Sequence, residues 1–373
     1  MLNLIDLWNN VKKQTAANTL TGNEKYPEST KPGAISFDKN TIQSSFDFDE
    51  SPNVIFVNNL SDLSPVESYD DLAELKLSSE EEAIRQKVIE EQKAKNPKFY
   101  DGEQMLIAGV AYDKDTNTVF LVAKKVPYSI IVCLSQKHFP ESSTLYNLSL
   151  FKTGVLAPLI TRDGQTFILQ RKVDTLFSVP AGFLEPQGDE KRLKLDGNDN
   201  IVCATAKAEI TEEIAGIAGE DNLRFEFSDP QISAVSFRSS TGPIGTIEFV
   251  APSYANCHSS FLQQVVNNNL AQDADEHTGI HEIVPLDSSQ RNELLGLLLN
   301  NTTKIPGSAL FLPVVLSLTR IFNKTTSMVE LPRQVPNSNT RAFPIRLFHP
   351  EIPKLMPGDG SASEKEESQK PKL

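Results

Sequence analysis

The sequence predicts an α+β fold in which a mixed β-sheet is packed between helices. From Gln104 onward, short apolar runs rich in β-branched residues are separated by turn residues, which is typical of strands. Other segments repeat their apolar residues at helical spacing. Because strands and helices do not alternate regularly along the chain, the order favours a mixed sheet over a doubly wound parallel one.

Composition limits the classes of function. The 373 residues are 39% apolar and 8% aromatic, enough to build a sizeable core. Asp and Glu total 49 against 36 Lys and Arg, and the formal net charge is −13. This balance argues against general nucleic-acid binding, because no bulk positive field is available to attract phosphate backbones. A small phosphorylated ligand stays compatible, since a bound divalent cation can supply positive charge locally.

Cysteine usage and hydropathy indicate a water-soluble protein. The three cysteines, Cys133, Cys203 and Cys257, are far apart, which argues against a disulfide framework or a thiolate zinc site. The first residues lack the basic start and long apolar run of a secretory signal. We therefore expect the mature chain to start at these residues and the protein to be cytoplasmic. The most apolar run, residues 308–318, contains Pro313 and is too short to span a membrane.

Residues 1–100 are predicted to form an N-terminal extension. Its clearest element is a helix over about 79–95, where two serines precede acidic residues and lysines end the segment. Residues 101–325 are predicted to form the main domain, with residues 104–150 as a β subdomain at its start. Residues 326–373 are proline-rich, and we expect them to be a largely disordered tail.

Within the main domain, the patterns predict two hairpins, a further strand at SIIVCL (129–134), a polar surface insertion over 186–200 and a helix over about 202–215. Later strands are predicted in residues 223–229, 231–238, 245–252 and 281–287, and later helices in residues 259–272, 289–301 and 308–323.

Three carboxylates lie within the helix predicted over 202–215. At 3.6 residues per turn, Glu209 and Glu213 stand one above the other and Glu212 lies on the adjoining edge. The helix has no Lys or Arg after Lys207, so a divalent cation would relieve the repulsion between them. Oxygen ligands suit Mg²⁺ or Mn²⁺, whose shell is completed by water and substrate phosphates. The pattern predicts a phosphate-transfer or hydrolysis site, with a solvated acidic face as the alternative.

The segment PAGFLE at 180–185, followed by ATAKAEITEEIAG at 204–216, resembles the Nudix box. In that family a Gly is followed by five residues, a Glu, seven residues and then Arg-Glu-apolar-x-Glu-Glu-x-Gly-apolar. Gly182 fills the first position, and the three helix glutamates fill the three closing carboxylate positions. The resemblance covers roughly 105–323 and implies a Nudix-type α/β/α sandwich with a mixed sheet.

The chain departs from the family pattern at several positions. Gly182 and Ala208 are 26 positions apart instead of 14, which we attribute to the insertion over 186–200. Ala208 stands in place of the family's Arg, Asn200 near its first Glu, and Ala215 in place of its closing Gly. In the family, that Arg pairs with a helix carboxylate. Its replacement therefore removes a partner that orients the carboxylate but leaves every metal ligand in place.

The flanking strands resemble the branch that hydrolyses ADP-ribose and other nucleoside-diphosphate sugars. The resemblance implies attack of water on one phosphorus of a diphosphate, giving a nucleoside monophosphate and a sugar phosphate. Glu209 and Glu213 would hold Mg²⁺ or Mn²⁺ together with the main-chain carbonyl of Ala181, and Glu212 would ligate or orient. It also implies a homodimer.

Other site residues follow from the same resemblance. Glu276 is the first choice for the general base and Glu282 the second, although an exposed loop glutamate is more often only solvated. Arg171 would face the substrate phosphates and Phe177 would stack on a base, the alternatives being a strand-end arginine and a core phenylalanine. Gly182 would lie close to the substrate.

Two other classes of function remain open. One is a Nudix-fold binding or regulatory module without turnover, motivated by Ala208, Asn200 and Ala215. The other is an interaction protein that acts through residues 1–100 or through its tail. The C-terminal SASEKEESQK resembles translocation signals of effectors that intracellular bacteria export into a host cell, and a solubilising tail is the alternative interpretation.

Overall fold

The computed structural model describes residues 1–10, 34–36, 42–97, 99–161, 165–171, 177–195, 200–215, 226–238, 243–267, 277–285, 328–329 and 345–346. Its strands are β1 (Leu2–Asn3), β2 (Ala34–Ser36), β3 (Ile42–Asp47), β4 (Asn53–Val57), β5 (Glu103–Asp113), β6 (Thr118–Pro127), β7 (Phe151–Leu156), β8 (Leu159–Ile160), β9 (Gln165–Arg171), β10 (Phe177–Ser178), β11 (Ala181–Phe183), β12 (Ala234–Arg238), β13 (Gly245–Val250), β14 (Ser253–Tyr254), β15 (His277–Pro285), β16 (Met328–Val329) and β17 (Ile345–Arg346). Its α-helices are α1 (residues 4–10), α2 (Ser79–Lys95), α3 (Tyr128–Ser135), α4 (Ile201–Ile210) and α5 (Ser259–Asn267).

The fold is α+β, as the sequence predicts, with helices packed on a mixed sheet. The central sheet has the strand order β2-β3-β12-β13-β7-β5-β6-β4, and β1 and β11 pair with β5 and β7. The β13–β7 and β4–β6 pairs are parallel, and the other described pairs of this sheet are antiparallel. A separate three-stranded sheet has the order β10-β9-β15.

The N-terminal hundred residues contribute strands to the central sheet. In addition to β1, strands β3 and β4 pair with β12 and β6. The predicted helix over 79–95 is present as α2. It begins with a capping box in which the Glu81 amide donates to Ser78 Oγ (3.3 Å) and the Ser78 amide donates to Glu81 Oε2 (2.7 Å).

The prediction of a strand at SIIVCL is wrong, because residues 128–135 form α3. Its first turn is held by Asp101, whose Oδ1 accepts the amide of Ser129 at 2.7 Å. The apolar side chains of α3, including Ile130 and Leu134, pack in one buried cluster with Val88 of α2. Packing against a neighbouring helix therefore overrides the β-propensity of this short segment.

Helices cover both faces of the sheet. The apolar side of α4, including Ile201 and Ile210, shares a buried cluster with Val155, Ile247 and Phe249 of the sheet. Side chains alternate along a strand, so the neighbouring residues point to the opposite face. On that face, the cluster containing Leu106 of β5 packs against α2 and α3.

The polar insertion is folded against the N-terminal extension. The amide of Leu193 donates to the carbonyl of Glu67 (2.8 Å), and the amide of Tyr69 donates to the carbonyl of Lys191 (2.9 Å). Leu193 is buried in the main core cluster. The insertion was predicted as a surface segment, and its described part combines exposed charges with one core side chain.

Several predicted elements lie outside the described residues. These are the helices over 289–301 and 308–323, and the tail apart from β16 and β17. Of the strand predicted over 223–229, the structure describes residues 226–229. In this part, Phe227 forms an isolated β-bridge with Ala255. In the part of the chain that the structure describes, no helix combines the length and apolarity needed to cross a membrane.

Candidate active site

The carboxylate-bearing helix is present where the sequence predicts it. Asn200 caps its start, because its Oδ1 accepts the amide of Cys203 at 2.9 Å. The α4 helix is followed directly by one π-helical turn over Thr211–Ala215. Glu209 lies in the last turn of α4, and Glu212 and Glu213 lie in the π turn. Such wide turns are often found at functional sites.

Gly182 brings β11 against this helix. Its Cα is paired with that of Val155 in β7. A Cβ at position 182 would overlap Glu209 Oε1 and would lie 3.0 Å from Glu209 Oε2. The close approach between the strand and the carboxylate therefore depends on glycine at this position. Gly154 allows a second close approach, because a Cβ there would lie 2.6 Å from the carbonyl oxygen of Gly182.

Glu213 makes the second contact between the two segments. Its side chain is buried, and Oε1 accepts the main-chain N–H of Ala181 at 3.3 Å. The PAG segment at the start of β11 and the EITEE segment, which spans the end of α4 and the π turn, therefore meet in space. These are the two halves of the sequence motif that the insertion separates.

The carboxylates at this junction strongly influence one another. The pKa of Glu209 is raised to about 8, first because burial disfavours the charged form and then because of the negative charge of Glu213. A hydrogen bond with Glu213 and the charges of Glu212 and Glu185 raise it further. Without a cation, Glu209 therefore holds a proton at neutral pH.

Glu185 is a neighbour that the sequence reasoning did not single out. It is exposed and lies three residues after Gly182, just beyond the end of β11. Its negative charge acts on Glu209. The signal available in the sequence was its place at the end of the PAGFLE segment.

The donor set fits a cation that takes few protein ligands. Glu209 and Glu213 are in hydrogen-bonding contact and compete for one proton, which a divalent cation could replace. Among the described residues, no group of three or more His, Cys, Asp or Glu side chains could hold a metal ion. Two carboxylates completed by water and substrate phosphates are a common arrangement for Mg²⁺. The Ala181 contact seen here is made by its N–H and not by its carbonyl.

The remaining predicted site residues are not brought to this junction by any described contact. Glu276 lies outside the described residues. Arg171, Phe177 and Glu282 lie on β9, β10 and β15, and their side chains are outside the described part of the chain. The backbone places these strands side by side, since Arg171 pairs with His277 and Ile168 with Glu282.

A scan of the sequence against protein-family models found no match. A search of curated proteins also found no match. The function is therefore inferred from the motif and from the geometry of the junction between β11 and α4.

Proposed function

We propose that the protein is a divalent-metal-dependent hydrolase of the Nudix type, which cleaves the diphosphate of a nucleoside-diphosphate sugar or an ADP-ribose-like substrate. The observation that carries the proposal is the contact of Glu209 with Gly182, together with the hydrogen bond from Ala181 to Glu213. These contacts join the two halves of the Nudix-like motif despite the long insertion between them. Helices on both faces of a mixed sheet are compatible with the sandwich expected for this class.

In this proposal, Glu209 and Glu213 hold Mg²⁺ or Mn²⁺. When bound, the cation would supply positive charge beside the diphosphate oxygens and lower the pKa of water. The chain's own contribution is to keep the two carboxylates within hydrogen-bonding contact of each other and partly shielded from solvent. The hydrogen bond from Ala181 fixes one oxygen of Glu213, so the side chain is oriented before the substrate arrives.

The reaction is an attack of water on one phosphorus of the diphosphate. One new P–O bond forms, the bridging P–O bond breaks, and the proton lost by water passes to a general base. Glu276 and Glu282 remain the predictions for this base. The products are a nucleoside monophosphate and a sugar phosphate.

A second candidate is a Nudix-fold module that binds its ligand without turnover. It is favoured by Ala208, which stands where the family has an arginine paired with a helix carboxylate. Ala208 is partly buried. Because its side chain is a methyl group, the position next to Glu209 carries no cation that could orient the carboxylate. Binding of the nucleotide with no product would support this alternative.

The proposal is tested by measuring product release from ADP-ribose, ADP-glucose, UDP-glucose and NADH with Mg²⁺ or Mn²⁺. We expect metal-dependent turnover of at least one substrate, with kcat reduced on the order of 100-fold in Glu213→Gln. Glu91→Gln, which removes an exposed carboxylate from α2, is the matched control and should keep full activity. A folded wild-type protein that binds a nucleotide and releases no product would favour the non-catalytic module.

A further inference from the structure

A second polar cluster lies on the face of the sheet opposite α4. Thr153, Ile247 and Phe249 are buried, and the last two belong to the core that contains α4. Because side chains alternate along a strand, their neighbours Lys152 and Glu248 point to the other face. This cluster is therefore separated from Glu209 and Glu213 by the sheet itself.

Three hydrogen-bond donors lie in one row across three strands. Lys152 of β7 is paired with Thr246 of β13, and Thr246 is paired with Arg238 of β12. Directly paired residues of neighbouring strands present their side chains on the same face, about 5 Å apart. The side chains that carry an ammonium, a hydroxyl and a guanidinium group thus leave the sheet from adjacent positions on one face. Lys152 and Thr246 make no hydrogen bond to a described side chain.

Glu248 lies two residues beyond Thr246 on β13 and is buried. Its Oε1 accepts a hydrogen bond from Nη2 of Arg238 at 3.3 Å. Its Oε2 and the Nε of Arg238 are also buried, and neither has a hydrogen-bond partner among the residues that the structure describes. Leaving two such atoms unpaired in the interior is costly, so a group that satisfies both would bind favourably.

The charges of the cluster are incompletely compensated. Burial raises the pKa of Glu248, and burial together with the charge of Arg238 lowers the pKa of Lys152. Among the described residues of the cluster, two basic side chains, Lys152 and Arg238, accompany one carboxyl group, in a chain whose net charge is −13. A ligand with negative charge would restore the balance.

We propose that Lys152, Thr246, Arg238 and Glu248 form a binding site for the phosphate group of a phosphate monoester or for inorganic phosphate. Lys152, Thr246 and Nε of Arg238 donate hydrogen bonds to phosphate oxygens. The fourth contact joins a phosphate oxygen to Oε2 of Glu248 through one proton. A phosphate carries a titratable proton near neutral pH, so this hydrogen bond forms whether the proton resides on the carboxyl group or on the ligand.

A purely structural ion pair is the competing explanation. An Arg–Glu pair that serves only to hold β12 and β13 together would be expected to satisfy both carboxylate oxygens. Here the pair is made through one oxygen. Lys152 interacts with Glu248 only through its charge, and neither Lys152 nor Thr246 donates a hydrogen bond to a side chain in the part of the chain that the structure describes. Phosphate binding accounts for all four side chains together.

The test is calorimetric titration of the full-length protein with inorganic phosphate and, separately, with glycerol 3-phosphate. The protein is first treated with a chelator, so that no cation can hold phosphate at Glu209 and Glu213. We expect one equivalent to bind. Arg238→Gln should weaken binding at least about tenfold, because it removes a charge-assisted donor. Lys93→Gln removes the same charge from an exposed position of α2 and should leave the affinity unchanged.

Thr246→Val keeps the shape of the side chain and should weaken phosphate binding by roughly threefold through loss of one hydrogen bond. This variant keeps the test valid if Arg238→Gln fails to fold, since the ion pair with Glu248 is retained. Binding of inorganic phosphate but not of glycerol 3-phosphate would identify the free ion as the ligand within the proposal. No saturable binding by the wild type up to about 10 mM of either ligand, or equal affinity in Thr246→Val, would overturn the proposal.

Discussion

The carboxylate of Glu209 lies against the α-carbon of Gly182, where even a methyl side chain would overlap it. This contact ties the edge strand β11 to the last turn of α4. It is reinforced one residue away by the hydrogen bond from the Ala181 amide to Glu213. The position of the carboxylate pair therefore depends on the backbone of β11 as much as on the helix.

Gly182→Ala should displace Glu209 and separate the carboxylate pair. We expect a loss of stability of less than about 1 kcal/mol, because the carboxylate is the flexible end of the Glu209 side chain and can move away, together with a marked loss of Mg²⁺ affinity. Urea unfolding and calorimetric Mg²⁺ titration measure the two effects. Gly188→Ala is the control, because Gly188 has a positive φ of 69° but no neighbour within 4 Å of an added Cβ. It should lose about 1 kcal/mol and keep its Mg²⁺ affinity.

Glu209 makes the stability of the metal-free protein depend on pH. Its pKa in the folded state is about 8, above the ordinary value of 4.5. Its contribution to stability is therefore complete below pH 4.5 and is lost as the pH rises through 8. With a chelator present, we expect the wild type to melt at a lower temperature at about pH 9 than at about pH 6.

Glu209→Gln should reduce this difference in melting temperature, because the amide does not ionise. Glu91→Gln, an exposed change on α2, should not reduce it. A wild-type Tm that is the same at both pH values would contradict the raised pKa that burial and the neighbouring Glu213 give to Glu209.

Asn200 should stabilise α4 through its cap. Asn200→Ala removes the acceptor for the Cys203 amide and should cost about 1 kcal/mol of unfolding free energy. Asn200→Ser restores a capping oxygen and should recover most of the loss. Urea unfolding of the three proteins checks the prediction, and equal stability of the alanine and serine variants would contradict it.

Arg85 should stabilise the packing of α2 on α3. Its Nη1 donates to Asp101 Oδ2 and to Ser129 Oγ, each at 2.9 Å, and its side chain is mostly buried. Arg85→Met should cost about 3 kcal/mol, because it leaves the Asp101 carboxylate without its cation. The exposed change Lys87→Met on the same helix should cost less than about 0.5 kcal/mol by urea unfolding.

The sequence predicted the elements whose signals are local. The helix α2 was recognisable from its serine cap and acidic first turn. The helical spacing of Ile201, Ala204, Ala208 and Ile210 or Thr211, with glycines after it, placed the helix that becomes α4 and the π turn. Its extent was also close, since residues 202–215 were predicted and helical structure covers 201–215. Capping and periodicity depend on neighbouring residues, so they can be read without the fold.

Features that depend on distant contacts could not be predicted. The segment SIIVCL forms a helix because α2 and Asp101 lie beside it. The insertion over 186–200 is hydrogen-bonded to residues 67–69, and its own composition does not indicate this contact. Similarly, the effect of Glu185 on Glu209 depends on how the chain turns after β11. Such tertiary effects override local preferences.

The most direct test of the proposed hydrolysis is to incubate the protein with ADP-ribose and Mg²⁺ in ¹⁸O-labelled water. The masses of both products are then determined by mass spectrometry. Attack of water on one phosphorus predicts AMP and ribose 5-phosphate in equal amounts, with one ¹⁸O in one of the two. Both products should form on the order of 100-fold more slowly in Glu213→Gln. Product without the label, or product formed equally by Glu213→Gln, would contradict the assignment of the reaction to the Glu209–Glu213 pair.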